Sequence, residues 1–367
     1  MQALERYRAT DYRYIGQIPV RNIWLLMLYA SDLFRQIGTE KIEVEDNPDD
    51  IPDLIAEFLT RIVERRLMRN LSFGYQEKNA VLRRIRGHID LLRTERNQLL
   101  AKGKIACRYE DLTVNTPRNR FVKAALFSIA HQVIRSELAR KCRVLADTLE
   151  RIGVTGEKPS RSEISANQFG RNDADDKIML SAAHLAFNLF LPTEASGSKL
   201  FAIPERDVIW MRRLFEKAVA GFYKVVLSDK GWQVDAGKTI NWPIEGKTSG
   251  IDRILPSMRT DIELNHYGTG RRIVIDTKFT SILTKGWYRE ESLRSGYIYQ
   301  IYSYLRSQED TRDPLSLKSS GLLLHPSIGE MFDETAIIQG HAIRFATVDL
   351  NSKTSNIRTQ LLYPVES

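Results

Sequence analysis

The segment 259–280, RTDIELNHYGTGRRIVIDTKFT, constrains the fold more than any other part of the chain. Apolar and polar residues alternate from Asp261 to Leu264 and again from Ile273 to Lys278, the period-two pattern of half-buried strands. The two glycines between them, Gly268 and Gly270, suit a tight turn. A turn centred between Gly268 and Thr269 sets Ile262 against Ile275 and Asp261 against Asp276 in an antiparallel hairpin. One face then carries Ile262, Leu264, Ile273 and Ile275, and the other carries Asp261, Glu263, Asp276 and Lys278. Directly opposed side chains on such a hairpin sit about 5 Å apart.

Two bare carboxylates at that separation repel each other, and a divalent cation between them removes the penalty. Mg²⁺ fits this role because it accepts one or two carboxylates and keeps its remaining positions for water and phosphate oxygens. Lys278 would stabilise developing charge or orient a water. The pattern D-x(14)-D-T-K resembles the PD-(D/E)xK nuclease motif, with Arg259, Thr260 and Asp261 in place of its Pro-Asp and Asp276, Thr277 and Lys278 as its (D/E)xK. Surface hairpins also place Asp and Lys in such positions, so a solvated strand face is the competing interpretation.

A chain of 367 residues with 43% hydrophobic content is long enough for two cored domains. The formal charge of +8 permits a polyanionic partner without requiring one. Two cysteines, Cys107 and Cys142, imply no disulfide framework; with neither a signal-peptide pattern nor a long apolar run, the expected location is cytoplasmic. The histidines at 88, 131, 184, 266, 325 and 341 have no zinc-site spacing, and His266 is expected to be exposed in the turn. No GxxxxGK[ST] occurs, so a phosphate-cradling P-loop is missing from this sequence.

Order is expected to begin with a helix over 18–34, with Ile23, Leu26, Met27 and Ala30 on its buried face. The first ten residues are polar and expected to be loose, and the acidic stretch 43–50 is expected to be a loop before a helix over Ile51–Met68. Short strands over 73–94 surround Gly87, a residue suited to a bulge or close backbone approach, and Arg83, Arg84 and Arg86 beside it either touch phosphates or form a solvated face. Thr116 caps a helix with Pro117 in its first turn, and another helix follows around Ser136–Arg151. A long polar loop is expected over 155–177, then a helix over 178–191 that stops at Pro192, and a domain junction near residue 200. A helix over 208–226 turns Leu214, Phe215, Ala218 and Phe222 inward; Glu216 in its middle is either a surface residue or a further acid facing the hairpin. A strand over 232–242 precedes the hairpin. A helix over 290–308 follows it, with Gln300 and Tyr304 on one face, placed to converge on a phosphate or a water, and strands over 321–326 and 342–350 end the series. This order suggests a mixed sheet with flanking helices.

Several segments together resemble the McrC family, the nuclease subunit of the McrBC modification-dependent restriction system. They are IPVRNIWLLMLYA, RIRGHIDLLRT, LTVNTPRNRFVKAAL, the helix containing Leu214-Phe215-Glu216, MRTDIEL with VIDTKF, YQIYSYL and GLLLHP, in that order. The resemblance implies an α/β (α+β) chain: a mixed N-terminal interaction domain over 1–200 and, over 201–367, a PD-(D/E)xK restriction-endonuclease-like domain with a central mixed sheet flanked by helices. It implies a Mg²⁺-dependent endonuclease acting on double-stranded DNA, of the 5-methylcytosine type. It also implies docking on a ring of McrB, an AAA+ motor that binds and hydrolyses GTP, with which Arg21 and Asn22 are candidate contacts, although capping or core support explains both as well. Asp261, Asp276 and Lys278 match the family's catalytic motif, the two acids as metal ligands; Glu216, as a further ligand, and Gln300 and Tyr304 follow by looser correspondence. A non-catalytic factor that stimulates the motor's GTPase, or a stand-alone repair nuclease, are the alternatives.

Overall fold

The computed structural model of the chain describes residues 18–31, 33–34, 51–165, 174–189, 200–201, 205–284, 291–329 and 331–367. The expectations for the first ten residues, for 43–50, for the helix stop at Pro192 and for most of the junction near 200 lie outside these residues.

The hairpin forms in the expected register, with Ile262 opposite Ile275 and His266 opposite Arg271 around a turn over 267–270. Its pairing ends at Ile262 and Ile275, one step before the two acids, because Thr260 donates its N–H to Lys238 O instead of continuing the ladder. The hairpin is also central rather than half-buried. Six strands make the sheet, β1 (Gln233–Ala236), β2 (Ile262–His266), β3 (Arg271–Thr277), β4 (Ser320–Ser327), β5 (Asp333–Ile338) and β6 (His341–Asp349), in the order β5-β6-β4-β3-β2-β1. β3, β4 and β6 are parallel, while β1, β2 and β5 run antiparallel to their neighbours. Helices cover parallel strands on both faces, so Ile262, Leu264, Ile273 and Ile275 and also Glu263, Val274 and Asp276 are buried. The strand expected over 232–242 is two pieces, β1 and a short run Thr239–Ile240 that pairs with Met258–Arg259. β5 carries no expectation from the sequence: its residues are largely exposed, the condition of an edge strand.

The longer helices described beside this sheet are α1 (Val20–Tyr29), α2 (Glu205–Val226), α3 (Ser295–Ser307) and α4 (Thr354–Glu366). α3 links the parallel strands β3 and β4, and its Ile301, Tyr304 and Leu305 pack with Val274, Leu323 and Phe345. In α2, Leu214, Phe215, Ala218 and Phe222 face inward as expected. α1 is shorter than expected and its Ile23, Leu25, Leu26, Met27, Leu28 and Tyr29 are each nearly inaccessible. Each such side chain contributes about 2 kcal/mol of burial, which explains why so short a helix is held firmly. Asn22 supports the core: its Nδ2 donates to Leu350 O at 2.7 Å and Ser352 O at 3.0 Å. The side chain of Arg21 lies outside the described residues.

The chain therefore does not divide simply at residue 200. One compact unit joins 1–51 to 188–367, and the other is 52–187. The physical reason is that α1 belongs to the sheet unit through Asn22 and through α2, where Gly221 allows the Tyr29 carbonyl to come so close that an added Cβ would lie 1.9 Å from its oxygen.

The 52–187 unit contains the expected helix Ile51–Met68 and a three-stranded antiparallel sheet in which Ile105–Thr113 lies between Gly74–Leu82 and His88–Ile89. Gly87, at φ +70°, sits where a Cβ would meet Arg108 O at 2.5 Å, the close approach its position suggests. Arg86 pairs with Asp111 at 2.8 Å and lies over the Tyr109 ring, on the solvated face. Thr116 caps Pro117–Ile129 by accepting from the Asn119 N–H at 3.2 Å. Ser136–Arg151 buries Leu138, Cys142, Leu145 and Leu149 at helical spacing. Part of the expected loop over 155–177 is helical, at Arg161–Ser165 and from Ala174 onward.

Replacing Gly221 by Ala forces a backbone contact at the α1–α2 seam apart, and the expected loss is about 3 kcal/mol of stability. Urea unfolding of the variant and the wild type measures it.

Candidate active site at the end of the central hairpin

The acids and the lysine come together where β3 leaves the sheet. Asp276 and Lys278 lie two residues apart and so share a face of the strand; Lys278 Nζ is 2.7 Å from Asp276 Oδ2, and both side chains are sealed from solvent. Lys278 continues the sheet beyond β3 by donating its N–H to Leu324 O at 3.0 Å, which fixes the strand end that carries it. Its ammonium also donates to Gln300 Oε1 at 2.9 Å and lies 4.9 Å from the centre of the Tyr297 ring. Gln300 Nε2 in turn donates to Tyr304 Oη at 2.6 Å. The i, i+4 pair on α3 thus converges on the lysine, and through it on Asp276, rather than on open space.

Asp261 sits just beyond the paired part of β2 and is half-buried. One of its oxygens, Oδ2, accepts from Thr277 N–H at 2.7 Å and from Thr277 Oγ1 at 2.8 Å. The carboxylate thereby takes the place of the next backbone partner in the interrupted ladder. Burial pushes the Asp276 carboxyl up to about 6; Lys278 opposes the shift and the Asp261 charge adds to it. Burial likewise raises Glu216, and Asp261 again adds, so the half-buried Glu216 of α2 belongs to the same electrostatic neighbourhood. Tyr304 is raised by burial, against the Gln300 hydrogen bond and with the charges of Asp276 and Asp261 adding. Direct polar contacts join Asp276, Lys278, Gln300 and Tyr304 in a chain, and the Asp261 charge bears on Asp276, Glu216 and Tyr304.

A cation such as Mg²⁺ fits the two acids at the strand ends. The Asp261 charge raises the cost of ionising Asp276 and Glu216, and a positive ion is what removes that cost. Among the described residues no group of three or more His, Cys, Asp or Glu side chains is placed to hold a metal ion. An open site with one or two carboxylates is the arrangement Mg²⁺ uses with phosphate substrates.

Two contributors escape the sequence reading. Thr277 occupies the middle of the motif, where its side chain is expected to be only a β-former; its hydroxyl in an otherwise apolar layer is the signal that it has a polar partner. Arg212 lies one helical turn before Glu216, and its positive charge opposes the shifts at both Glu216 and Asp276. His266 is not exposed in the turn: it ends β2, donates from Nε2 to Lys230 O at 3.1 Å and accepts the Thr269 N–H at Nδ1. The short turn brings Thr269 back onto it, and Trp232 packs against the ring edge-on.

The family model for a "McrBC 5-methylcytosine restriction system component" matches residues 5–322, a span that contains every one of these site residues. The chain belongs to the McrBC family. The type IV methyl-directed restriction enzyme EcoKMcrBC of Escherichia coli (strain K12) is 24% identical over 346 residues, covering 94% of this chain and 96% of that protein. Two solved structures are similar at 13% identity. One is a half-complex from a tetradecameric assembly of Thermococcus gammatolerans McrB AAA+ hexamers with bound McrC, with a TM-score of 0.43 over 96% of this chain and 83% of the other. The second, the Thermococcus gammatolerans McrBC complex, has a TM-score of 0.36 over 57% and 64%. No helix among the described residues of this McrBC-family chain is long and apolar enough to cross a membrane.

The raised Asp276 carboxyl has a defined effect on stability. Its folded value, about 6, lies above its ordinary value of 3.8, so the metal-free fold is most favoured by this group below about pH 4 and loses that contribution as pH rises through 6. The expected loss is on the order of 3 kcal/mol, and Asp276→Asn flattens this part of the profile. Denaturant unfolding in a chelator across that pH range tests it.

Proposed function

We propose that this chain is the endonuclease component of a 5-methylcytosine-type, modification-dependent restriction complex, cleaving double-stranded DNA with Mg²⁺ when assembled with a GTP-hydrolysing AAA+ partner of the McrB kind. The observation that carries this reading is the position of the Asp261, Asp276 and Lys278 cluster inside the span 5–322 that matches the family. Asp261 and Asp276 would hold the ion, with Glu216 of α2 as a further candidate ligand in the same electrostatic neighbourhood. When bound there, Mg²⁺ supplies positive charge for the scissile phosphate and lowers the pKa of a water it binds.

The chain's own residues do the rest by position. Lys278 is held by Asp276 and Gln300 with its ammonium at the acids, where developing negative charge needs a fixed donor. Gln300 is itself held by Tyr304, so the lysine meets a preset hydrogen-bonding geometry rather than a mobile surface. Burial of Asp276 and Lys278 excludes water that would weaken these interactions. GTP belongs to the partner, since this sequence has no P-loop, and choice of the methylated site is assigned to the partner as well. The chain's formal charge of +8 suits sequence-independent contact with the DNA backbone. Docking on the ring, and stimulation of its GTPase, are assigned to the 52–187 unit, which contributes no strand to the six-stranded sheet.

The test is a cleavage assay with the partner, GTP, Mg²⁺ and methylated duplex. Asp276→Asn is expected to reduce cutting by about a thousandfold while partner binding and GTP turnover stay at the wild-type level. Cutting by the variant at the normal rate would overturn the site. Wild type that stimulates GTP turnover without cutting would establish the non-catalytic alternative, and cutting by the chain without its partner would establish a free-standing nuclease.

A further inference from the structure

We infer that Thr277, the middle residue of the D-T-K motif, is a positioning residue that clamps one oxygen of Asp261 so that the other is presented to the metal. The inference rests on the nuclease reading given above and adds a residue to it. Thr277 grips Oδ2 twice, through its backbone N–H at 2.7 Å and its hydroxyl at 2.8 Å. Two donors on a single oxygen fix both the position and the rotation of the carboxylate. Among the described residues, Oδ1 of Asp261 makes no hydrogen bond, which leaves one oxygen committed and one available.

The clamp is needed because of how the hairpin ends. Asp261 lies outside the paired ladder, beyond Ile262, so strand pairing does not set its side chain as it sets that of Asp276. Thr277 is itself well fixed: it closes β3, pairs with Leu324 on β4 and is almost inaccessible to solvent. The hydroxyl belongs to a side chain sealed from solvent, where an unpaired polar group would be costly. The Asp261 carboxylate satisfies it. A Val at this position would fit the apolar layer and keep the backbone donor, but it would remove one of the two bonds that hold the acid.

The experiment compares Thr277→Val and Thr277→Ser in the full-length chain. Mn²⁺ serves as the probe, with binding followed by the metal-induced rise in melting temperature, and cleavage in the assembled complex is measured across a Mg²⁺ titration. Losing one hydrogen bond to a charged group is expected to weaken Mn²⁺ binding about tenfold in Thr277→Val and to raise half-saturating Mg²⁺ by a similar factor. Cleavage at saturating metal should recover, and Thr277→Ser should stay within about twofold of wild type. Equal metal dependence of Thr277→Val and wild type would overturn the inference. So would a loss of cleavage that saturating metal does not restore, since that is the signature of a merely structural residue. Asp276→Asn is the control: if it too binds Mn²⁺ normally, the metal-site reading fails, whereas loss in Asp276→Asn with no change in Thr277→Val removes only the role of Thr277. Should Thr277→Val fold poorly, Thr277→Ala removes the same hydroxyl with less bulk and gives the same comparison.

Discussion

The ion pair between Asp276 and Lys278, 2.7 Å long and shut away from water, sets the terms for the sheet around it. A buried carboxylate is costly to ionise, and a buried ammonium without a partner is costly as well. Each group is tolerated because the other is there, because Gln300 accepts from the lysine, and because Tyr304 in turn accepts from Gln300. Removing one member leaves a charge in a dry place with nothing to balance it. The arrangement is therefore costly to the resting fold. Acids whose protonation is displaced by burial and by a neighbouring charge, as at Asp276 and Glu216, are common at sites arranged for a reaction.

Much of this arrangement is legible in the amino-acid order because it depends on local rules. The turn between Gly268 and Thr269 fixes the register, and a strand places Asp276 and Lys278 on one face whatever surrounds it. Likewise, an i, i+4 spacing brings Gln300 and Tyr304 to one side of a helix. Capping by Thr116 and the close approach at Gly87 are equally local, since each depends on one residue's conformational options.

What the order of residues hides depends on contacts between distant parts. Alternating polarity suggests a half-buried hairpin, but β3 lies beside the parallel strand β4, and cover by helices on both faces buries Glu263 and Asp276 along with the isoleucines. The edge strand β5 is mostly exposed, so no apolar run announces it. Thr277 looks like an ordinary β-branched strand residue until the ladder is seen to stop short of Asp261. The extent of the sheet domain is hidden in the same way, because Asn22 reaches a carbonyl at Leu350, more than three hundred positions along the chain.

That last contact affects how the chain folds as it is made. The helix Val20–Tyr29 is synthesised early, yet the surfaces that bury it, α2 and the turn after β6, leave the ribosome only much later. Until then Leu25, Leu26, Met27, Leu28 and Tyr29 form an uncovered greasy segment, while residues 52–187 can already collapse on their own core. Completion of the sheet unit therefore waits until Leu350 and Ser352 have emerged, and the apolar side chains of α1 stay without their final cover for most of synthesis.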